Sequence, residues 1–588
     1  MPTKSVQMVI PATLIRPSHR LKKHWHNNGI PMPVFFYSNE RRVRVETRSG
    51  VLLSTLAAEA GFPLNMQCGG QGACKGCLIK LGPGRYRIGE TETVVAAGET
   101  LEARACKTVV LCGQADIEIP ARSLLKIGSC ASADFYAARK NLFQPLENSE
   151  GQLGIAVDIG TTTVAAVLVE LSTGKILARE SAYNRQIELA DNIASRIALC
   201  REDEKLKQLQ RLIIKETLVP MFEKISAQSF QSLEQVTEII LSGNTVMSHL
   251  ALGLSALSIG TIPFEPLTKV FSEHAAPEIG LTNCPNARVR TVPAIAGYVG
   301  GDLVSDLYIS EPDPARLELI VDIGTNGEII LNDHGRLTAT ATAAGPAFEG
   351  AGLLHGCRAD TGVIEKIICR PDDTIEFETI GGKPAIGLCG SAAVDFIASA
   401  WRTGLLNDMG RFDLDRLRAA DRLVELNCHG IKGNACVIVR QEQSGIDEPI
   451  LITEFDVSQI LKAKAAVYAG IRTLLERSGH GVGDVERLVL AGGFAAHLRI
   501  PNAVTIGLLP EIPLGKYDVV GNGSLAGAYA ALGTGGVWEE LHRIAKRPDS
   551  CHLAETNEFE NRFIDALAIP NLDPDEFPKT ATEGVNHV

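Results

Sequence analysis

The sequence lacks any long apolar run, and no stretch of its 588 residues approaches the roughly 20 apolar residues needed to cross a bilayer. Basic residues are not in excess, since 57 Lys and Arg stand against 69 Asp and Glu for a net charge of −12. That balance argues against a nucleic-acid-binding surface. The apolar residues 6–15 contain Pro11 and precede the nearby basic residues, the reverse of the order in a secretory signal. We therefore expect a cytoplasmic protein whose partners include neither nucleic acid nor a membrane.

Cysteine is also sparse, with 14 residues in 588, which is too few for a disulfide scaffold. The Gly-x4-Gly-Lys-Ser/Thr loop that cradles phosphates in P-loop ATPases is missing, so a nucleotide site of that kind is excluded. The chain is too long for one hydrophobic core and predicts two to four domains.

Patterns of apolar and turn residues divide the chain into six segments. They are an N-terminal extension (1–33), a β-rich module (34–121), a linker (122–152), a first α/β lobe (153–316), a second α/β lobe (317–545) and a C-terminal segment (546–588). From residue 153 onward strands alternate with long helices, which is typical of a multidomain α/β protein. Apolar residues at 3- and 4-residue spacing predict helices at 208–222 and 457–476. The C-terminal segment is polar and interrupted by proline, and we expect it to pack only in part.

Short alternating runs predict the elements of the β-rich module. A strand is expected at residues 42–47, a return strand beginning at residues 51–52, and a short helix at 53–60. Further strands are predicted at residues 78–81 and 108–111, separated by glycine-containing turns.

Three cysteines, Cys68, Cys74 and Cys77, lie in one glycine-rich loop with the sequence Cys-Gly-Gly-Gln-Gly-Ala-Cys-Lys-Gly-Cys. Thiolates are the usual ligands of iron–sulfur clusters, and glycines let the backbone lie flush against the cluster. The spacing Cys-x5-Cys-x2-Cys is slightly longer in its first gap than the plant-type pattern, which also takes a remote fourth cysteine. The loop therefore predicts a [2Fe–2S] cluster in a β-grasp, ferredoxin-type module.

Two residues are candidates for the fourth ligand of this cluster. Cys106 lies in a loop just before a predicted strand and is preferred on that placement, whereas Cys112 follows the strand and requires the chain to fold back. Zinc is the alternative occupant of the loop. Zinc sites favour two separated Cys-x2-Cys pairs, however, and here Cys74 and Cys77 form one such pair.

The sequence Asp-Ile-Gly-Thr occurs twice, beginning at Asp158 and at Asp322, and apolar segments on both sides of each copy predict a β-hairpin. The copies lie 164 positions apart, which is the length of a lobe and indicates an internal duplication. Gly160 and Gly324 allow backbone N–H groups to point at phosphate oxygens. The two aspartates, at strand ends, are able to hold Mg²⁺ through water. The duplicated turn therefore predicts an ATP and Mg²⁺ site between two related lobes.

Other residues complete this predicted nucleotide site. The turns contribute residues with short side chains, which are Thr161, Thr162, Thr163, Thr325, Asn326 and Gly327. A glycine pair after a late strand adds Gly492 and Gly493. Asp302 is a candidate to orient the attacking water or the metal, with a helix N-cap as the equal alternative. Glu328 and Glu349 are weaker candidates for the same roles. Residues 521–527 have the wrong spacing for a dinucleotide fingerprint and predict a helix start where glycines permit close packing.

Together these motifs resemble those of the reductive activators of corrinoid enzymes. That family fuses an N-terminal [2Fe–2S] ferredoxin domain to a duplicated ATPase of the actin, Hsp70 and sugar-kinase (ASKHA) superfamily. Besides the cysteine loop and the two hairpins, the resemblance rests on residues 243–249, 344–350, 388–391, 490–494 and 506–510. It implies that the hairpins and residues 491–494 form the ATP cleft. It also implies that the cluster ligands are Cys68, Cys74, Cys77 and Cys106.

The resemblance implies ATP-dependent reductive activation, in which one electron passes from the cluster to Co(II) of a corrinoid protein and gives Co(I). The implied partners are that corrinoid protein or a cobalamin-dependent methyltransferase, and an external low-potential electron donor; a homodimer is one assembly that it allows. Two other functions stay open. One is an ATP-driven activator of another low-potential metalloenzyme, and the other is a small-molecule kinase whose ferredoxin domain senses redox state.

Overall fold

The computed structural model describes most of the chain between residues 32 and 580. The described residues are 32–38, 41–47, 50–60, 62, 64, 77–112, 114–120, 123, 135, 142–190, 192–428, 431–534, 536–553 and 556–580. Cys68, Cys74 and residues 1–31 of the predicted extension lie outside them. No helix in this described part is both long and apolar enough to cross a membrane.

In its described residues the N-terminal module has two small sheets and one α-helix. In chain order its elements are β1 (Met32–Ser38), β2 (Arg41–Thr47), α1 (Leu53–Glu59), β3 (Leu78–Leu81), β4 (Gly84–Ile88), β5 (Thr91–Val95), β6 (Leu101–Arg104), β7 (Thr108–Cys112) and β8 (Ala115–Glu118). The strand orders are β2-β1-β8-β3-β6 and β5-β4-β7. Buried and half-buried residues alternate along β1, so one face of the larger sheet packs on a core shared with α1.

The strands and the helix predicted for this module are confirmed, with a correction at its start. Residues 51–52 do not begin a strand, because Leu52 makes an isolated bridge to Val109 and α1 begins at the next residue. The antiparallel partner of β2 is β1, which begins at Met32, inside the predicted extension. The alternation in β1 is hard to see in the sequence because Pro33 stands at its second position and proline disfavours strands.

The first lobe is a mixed sheet covered by helices. Its elements are β9 (Leu153–Ile159), β10 (Thr163–Glu170), β11 (Ile176–Tyr183), α2 (Ile193–Leu199), α3 (Asp203–Ile213), α4 (Val219–Ser229), β12 (Val236–Gly243), α5 (Thr245–Ala251), β13 (His274–Ala275), β14 (Arg288–Thr291) and α6 (Gly301–Ser310). The helix predicted at 208–222 is divided, since a π-helical turn at Ile214–Leu218 joins α3 to α4. The wider turn accommodates Pro220, which has no N–H to donate.

The second lobe repeats this plan with two small sheets added. Its elements are β15 (Leu317–Ile323), β16 (Gly327–Asp333), β17 (Arg336–Thr342), β18 (Val363–Cys369), β19 (Ile375–Thr379), β20 (Gly387–Leu388), α7 (Gly390–Arg402), α8 (Leu414–Ala419), β21 (Leu423–Cys428), β22 (Ile431–Val439), β23 (Ile450–Thr453), α9 (Glu454–Arg477), β24 (Arg487–Ala491), α10 (Ile500–Thr505), β25 (Tyr517–Gly521), α11 (Gly523–Ala531), α12 (Val537–Ile544), β26 (Asp549–Ser550) and α13 (Asn557–Asp565). The helix predicted at 457–476 lies within α9.

The main sheets of the two lobes share one topology. The orders are β11-β10-β9-β12-β14-β13 in the first lobe and β25-β24-β15-β16-β17-β26 in the second. In each, three consecutive antiparallel strands (β9 to β11, β15 to β17) are followed by two strands parallel to the first of them (β12 and β14, β24 and β25). The internal duplication expected from the paired hairpins is therefore present in the fold.

Helices α6 and α11 lie between the two sheets and share a core with both. Glycines let them approach closely: a Cβ at Gly527 would lie 2.3 Å from the Ser305 Cβ, and one at Gly523 would lie 1.9 Å from the Asp306 Oδ1. Asn522 caps α11, its side chain accepting a hydrogen bond from Leu525 N–H at 2.8 Å. The prediction of a closely packed helix start at residues 521–527 is confirmed.

The C-terminal segment packs more fully than its polar sequence suggests. Helix α13 lies along α9, and Phe577 is completely buried. The Nζ of Lys464, on α9, donates to the carbonyl oxygens of Ala568 at 2.6 Å and Pro570 at 2.7 Å. Lys464 is itself fully buried, and burial lowers the pKa of its ammonium group well below the ordinary value.

We predict that Lys464→Met destabilises the protein by about 2 kcal/mol or more, because two buried carbonyl oxygens would lose their donor. Chemical unfolding measures the loss, and limited proteolysis should cut the C-terminal segment faster. Lys462→Met, at an exposed position of the same helix, is the control. Equal unfolding midpoints for the two variants would show that Lys464 does not hold the segment.

Candidate active site

A cleft between the two lobes lies where the hairpin turns face each other. It encloses about 390 Å³, within the roughly 300–1,000 Å³ typical of small-molecule sites. Twelve predicted residues line it: Asp158, Gly160, Thr161, Thr162, Thr163, Asp302, Asp322, Gly324, Thr325, Asn326, Gly492 and Gly493. The weaker candidates Glu328 and Glu349 line it as well.

Gly327, which the sequence also assigned to this site, is not among the lining residues. It is the first residue of β16 and faces inward, where an added Cβ would lie 2.8 Å from Val467 Cγ2. Its carbonyl accepts a hydrogen bond from Thr342 Oγ1 at 3.1 Å. This glycine therefore allows β16 to pack against α9.

The glycines of the two turns differ in whether neighbouring atoms leave room for a side chain. A Cβ at Gly160 would lie 2.4 Å from the carbonyl oxygen of Thr163, so the turn itself excludes a larger residue. A Cβ at Gly324 would meet no atom nearer than 3.8 Å. Local packing thus leaves Gly324 open to the cleft, as expected where a ligand approaches the backbone. Gly492 has φ +97, and a Cβ there would lie 2.6 Å from the Asp322 Oδ1.

Hydroxyl groups from the two turns meet across the cleft. The Oγ1 atoms of Thr162 and Thr325 lie 3.0 Å apart. Thr325 Oγ1 also donates to Glu349 Oε1 at 2.5 Å, and Thr163 Oγ1 donates to Glu349 Oε2 at 3.4 Å. Glu349 is therefore a shared acceptor for threonines of both lobes.

The Asp158 carboxylate is held by the start of α11. Ser524 Oγ donates to Asp158 Oδ1 and Asn522 Nδ2 donates to Oδ2, each at 2.8 Å. Burial nevertheless raises the pKa of Asp158 to about 6, because the two hydrogen bonds only partly offset the loss of water. Sequence reasoning missed Asn522 and Ser524, since they lie more than 360 positions from their partner.

Helix α6 brings Asp302 and Asp306 to the Asp322 turn. Burial, and then the charge of Asp322, raises the pKa of Asp302 to about 7. Burial and the charges of Asp322 and Asp302 raise the pKa of Asp306 well above its ordinary value. Among the described residues no donor reaches either carboxylate oxygen of Asp306. Burial also raises the pKa of Asp322 to about 7, and the neighbouring Asp306 carboxyl group partly opposes that rise.

Glu328 adds a further buried carboxyl group. Its Oε1 accepts from Asn326 Nδ2 at 3.2 Å and from Asn244 Nδ2 at 3.4 Å. Burial, followed by the charges of Asp302 and Asp322, raises its pKa well above the ordinary value. The floor of the cleft is thus strongly acidic and suited to a hard divalent cation.

Arg358 places a positive charge at the cleft and was not recognised in the sequence. Its guanidinium lies over the ring of Tyr183, 4.5 Å from the centroid, and its Nη2 is 3.9 Å from Glu349 Oε2. Tyr183 ends β11 of the first lobe, so this contact also spans the two lobes. Arg499 and His497 line the cleft as well.

Cys77 directly precedes β3, and Cys106 lies two residues after the end of its partner strand β6. The N–H of Ala105 donates to the carbonyl of Cys77 at 2.9 Å, and the neighbouring residues are paired between β3 and β6. Both cysteines are buried. Cys112 is the last residue of β7, which pairs with β4 in the other sheet. It lies about 13 Å along β7 from the first residue of that strand. Cys106 thus follows the residue that is hydrogen-bonded to Cys77, and the backbone places Cys106 nearer to Cys77 than Cys112.

Comparison with known proteins identifies relatives along nearly the whole chain. Two family models match, one described as the RACo middle region at residues 153–313 and one as the C-terminal domain of RACo, the ASKHA domain, at residues 316–581. The corrinoid activation enzyme RamQ of Eubacterium limosum is 30% identical over 559 residues, covering 85% of this chain and 93% of RamQ.

Two further relatives have similar descriptions. The [Co(II) methylated amine-specific corrinoid protein] reductase of Methanosarcina barkeri is 24% identical over 456 residues, covering 71% of this chain and 76% of that protein. A solved structure described as a reductive activator for corrinoid, iron–sulfur protein is 27% identical with a TM-score of 0.70. The match covers 93% of this chain and 100% of the solved chain. The ASKHA fold expected for the two lobes is confirmed for the second lobe, whose main-sheet topology the first lobe shares.

We predict that Asp306→Asn changes how stability depends on pH. A carboxyl group whose folded pKa is raised stabilises the fold at low pH, and this contribution is lost as pH rises above the unfolded value near 4. Relative to Asp306→Asn, which stays neutral, the unmodified protein should therefore lose up to about 1.4 kcal/mol per pH unit. Urea unfolding with a chelator present, between about pH 5.5 and 8, measures the difference. A gap that does not widen with pH would show that Asp306 is ionised in the folded protein.

Proposed function

This chain belongs to the RACo family, and on that premise we propose that it couples ATP hydrolysis to the one-electron reduction of a corrinoid protein. In this proposal cobalt passes from Co(II) to Co(I), the state needed by a cobalamin-dependent methyltransferase. The observation that carries the proposal is an acidic cleft between duplicated lobes, together with a second module in which Cys106 follows the residue that is hydrogen-bonded to Cys77. The names of the relatives, a corrinoid activation enzyme and a corrinoid protein reductase, support the choice of partner.

The N-terminal module is assigned the electron-transfer role. Cys77 and Cys106, with Cys68 and Cys74 of the glycine loop, are the four thiols that would hold a [2Fe–2S] cluster, and the cluster supplies one electron. The likeness to the solved activator leaves about 41 of 588 residues uncovered. That is fewer than the module contains, so the likeness extends into the module.

The cleft is assigned to Mg²⁺ and ATP. Asp158 and Asp322 would hold the cation, whose charge offsets the buried carboxylates and the phosphates together. The Gly160 turn and the threonine hydroxyls would bind phosphate oxygens, while the Gly324 N–H donates to the Asn326 carbonyl at 3.0 Å. In this proposal Asp302 would orient the attacking water, and Arg358 would stabilise charge on the transferred phosphoryl group.

Energetics explain why such a protein needs ATP. Plant-type clusters have potentials near −400 mV, which is not low enough for the most difficult reductions. For one electron, each 59 mV of deficit corresponds to about 1.4 kcal/mol, so hydrolysis can offset a gap of a few hundred millivolts. Nucleotide binding would act by selecting the lobe arrangement that engages the partner.

The function is tested with the cluster-loaded protein, a low-potential chemical donor and a Co(II) corrinoid protein from the same host. We predict that Co(I) absorption appears only when Mg²⁺ and ATP are both present. An unchanged cobalt spectrum, or equal reduction without ATP, would contradict the proposal. Phosphate transfer from ATP to a small molecule would support the kinase alternative instead.

Cysteine variants give this experiment its controls. Cys106→Ser should lose the iron and the cobalt reduction while keeping ATP hydrolysis, and Cys112→Ser should keep all three. Iron content and electron paramagnetic resonance of the reduced protein report the cluster independently of activity. Loss of the cluster in Cys112→Ser but not in Cys106→Ser would reverse the assignment of the fourth ligand.

We also predict that Arg358→Ala lowers kcat for ATP hydrolysis by roughly 100- to 1,000-fold, with a smaller effect on KM, because the arginine acts on charge that develops in the transition state. Arg358→Lys should recover part of the rate, since it keeps the charge but not the planar fork of donors. Arg370→Ala, at an exposed pair with Glu376 in the same lobe, is the matched control. Unchanged hydrolysis by Arg358→Ala would exclude this role.

A further inference from the structure

A second group of metal-ligating side chains lies at the far end of β16 from the cleft. Asp333 is the last residue of β16, His334 begins the turn into β17, and His480 follows α9. Ligand atoms of these three residues all lie within 4.8 Å of one another. The Nε2 of His480 is 3.0 Å from the Asp333 Oδ1, a few tenths of an ångström less than the roughly 3.4 Å between two tetrahedral ligands at bond lengths of about 2.1 Å.

The turn that carries His334 is firmly held. His334 has φ 49, in the left-handed region, and its N–H donates to the carbonyl of Arg316 at 3.2 Å. Buried Asn332 accepts from Gly335 N–H at 3.0 Å and donates to the carbonyl of Asp313 at 2.7 Å. The position of His334 is therefore fixed by the preceding loop as well as by the hairpin.

The His334 ring is oriented as a metal-binding histidine usually is. Its Nδ1 lies 3.0 Å from the carbonyl oxygen of Ala315. A carbonyl can only accept, so Nδ1 carries the proton and the lone pair lies on Nε2 of this exposed residue. Histidine ligands almost always donate their other ring N–H in this way, which fixes both tautomer and direction.

His480 sits at the end of a long helix. Its N–H donates to the carbonyl of Leu475 at 2.9 Å, closing the C-terminus of α9 through Gly479, which has φ +79. The C-terminal end of a helix carries a partial negative charge that favours a nearby cation. Helix α9 spans 24 residues and ends at Arg477, so His480 lies just beyond its C-terminal end.

From these observations we propose that Asp333, His334 and His480 bind a divalent transition-metal ion of the zinc class. Two imidazoles and one carboxylate are three protein ligands, which leaves the fourth tetrahedral position to water. Imidazole ligands select zinc-class ions over Mg²⁺, which prefers oxygen. Six residue steps along β16, about 20 Å, separate the site from the cleft. The ion therefore joins the β16–β17 turn to the end of α9 and takes no part in binding ATP.

Calorimetric titration with Zn²⁺ tests the site, using full-length, untagged, cluster-loaded protein in saturating Mg²⁺. The unmodified protein should bind one Zn²⁺ more per chain than His334→Ala or His480→Ala. Affinity at this position should fall by at least about 100-fold in each variant, because even the loss of a group that only orients a ligand costs roughly 10- to 100-fold. Zinc should raise the melting temperature of the unmodified protein but not of the variants.

His274→Ala is the matched control, because His274 Nδ1 also lies near a carboxylate, 3.9 Å from Glu278 Oε2. It should bind zinc like the unmodified protein. Asp333→Asn keeps the side-chain shape and gives an independent test should a histidine variant unfold. The proposal would be overturned if Asp333→Asn and either histidine variant bound zinc with the same stoichiometry and affinity as the unmodified protein.

Discussion

The close crossing of α6 and α11 between the two sheets is the constraint on which the cleft depends. Glycines at the crossing let the helix backbones approach to distances that side chains would prevent. Because α6 carries Asp302 and Asp306 while the start of α11 carries Asn522 and Ser524, the crossing assembles the acidic groups and the donors that hold them. One packing contact in the apolar core thereby fixes the geometry of a polar site, and a larger residue at Gly527 would disturb both together.

The accumulation of buried carboxyl groups then determines what the cleft can bind. Burial raises the pKa of Asp158, Asp302 and Asp322, so each is costly to ionise without a compensating charge. A nucleotide polyphosphate is itself an anion and would be repelled by such a floor. A divalent cation resolves both problems at once, because it neutralises the carboxylates and offers positive charge to the phosphates. Metal and nucleotide are therefore expected to bind together rather than independently.

Local sequence patterns predicted the two turns but not the residues that reach the cleft from other parts of the chain. Each Asp-Ile-Gly-Thr turn is specified by its own strand, glycine and hydroxyl residues, so both hairpins and the duplication were predictable from sequence. Asn522, Ser524 and Arg358 were not, because they reach the cleft through the packing of helices and lobes far apart in the chain. The C-terminal segment was misjudged for a similar reason. Its polar sequence gives no sign that a buried lysine of α9 binds its backbone.

The linker between the cysteine-bearing module and the lobes lies against the same helix that holds Asp158. Phe135 forms a β-bridge with Gly521, the residue before Asn522, and its ring lies 5.4 Å from that of Tyr529 on α11. The ring of Phe143, also in the linker, lies 5.0 Å from the ring of the same tyrosine. Asn522 in turn binds the Asp158 carboxylate. The described residues of the linker therefore pack on the helix whose N-cap residue holds Asp158, so one helix contributes both to the acidic cleft and to the surface that the linker contacts.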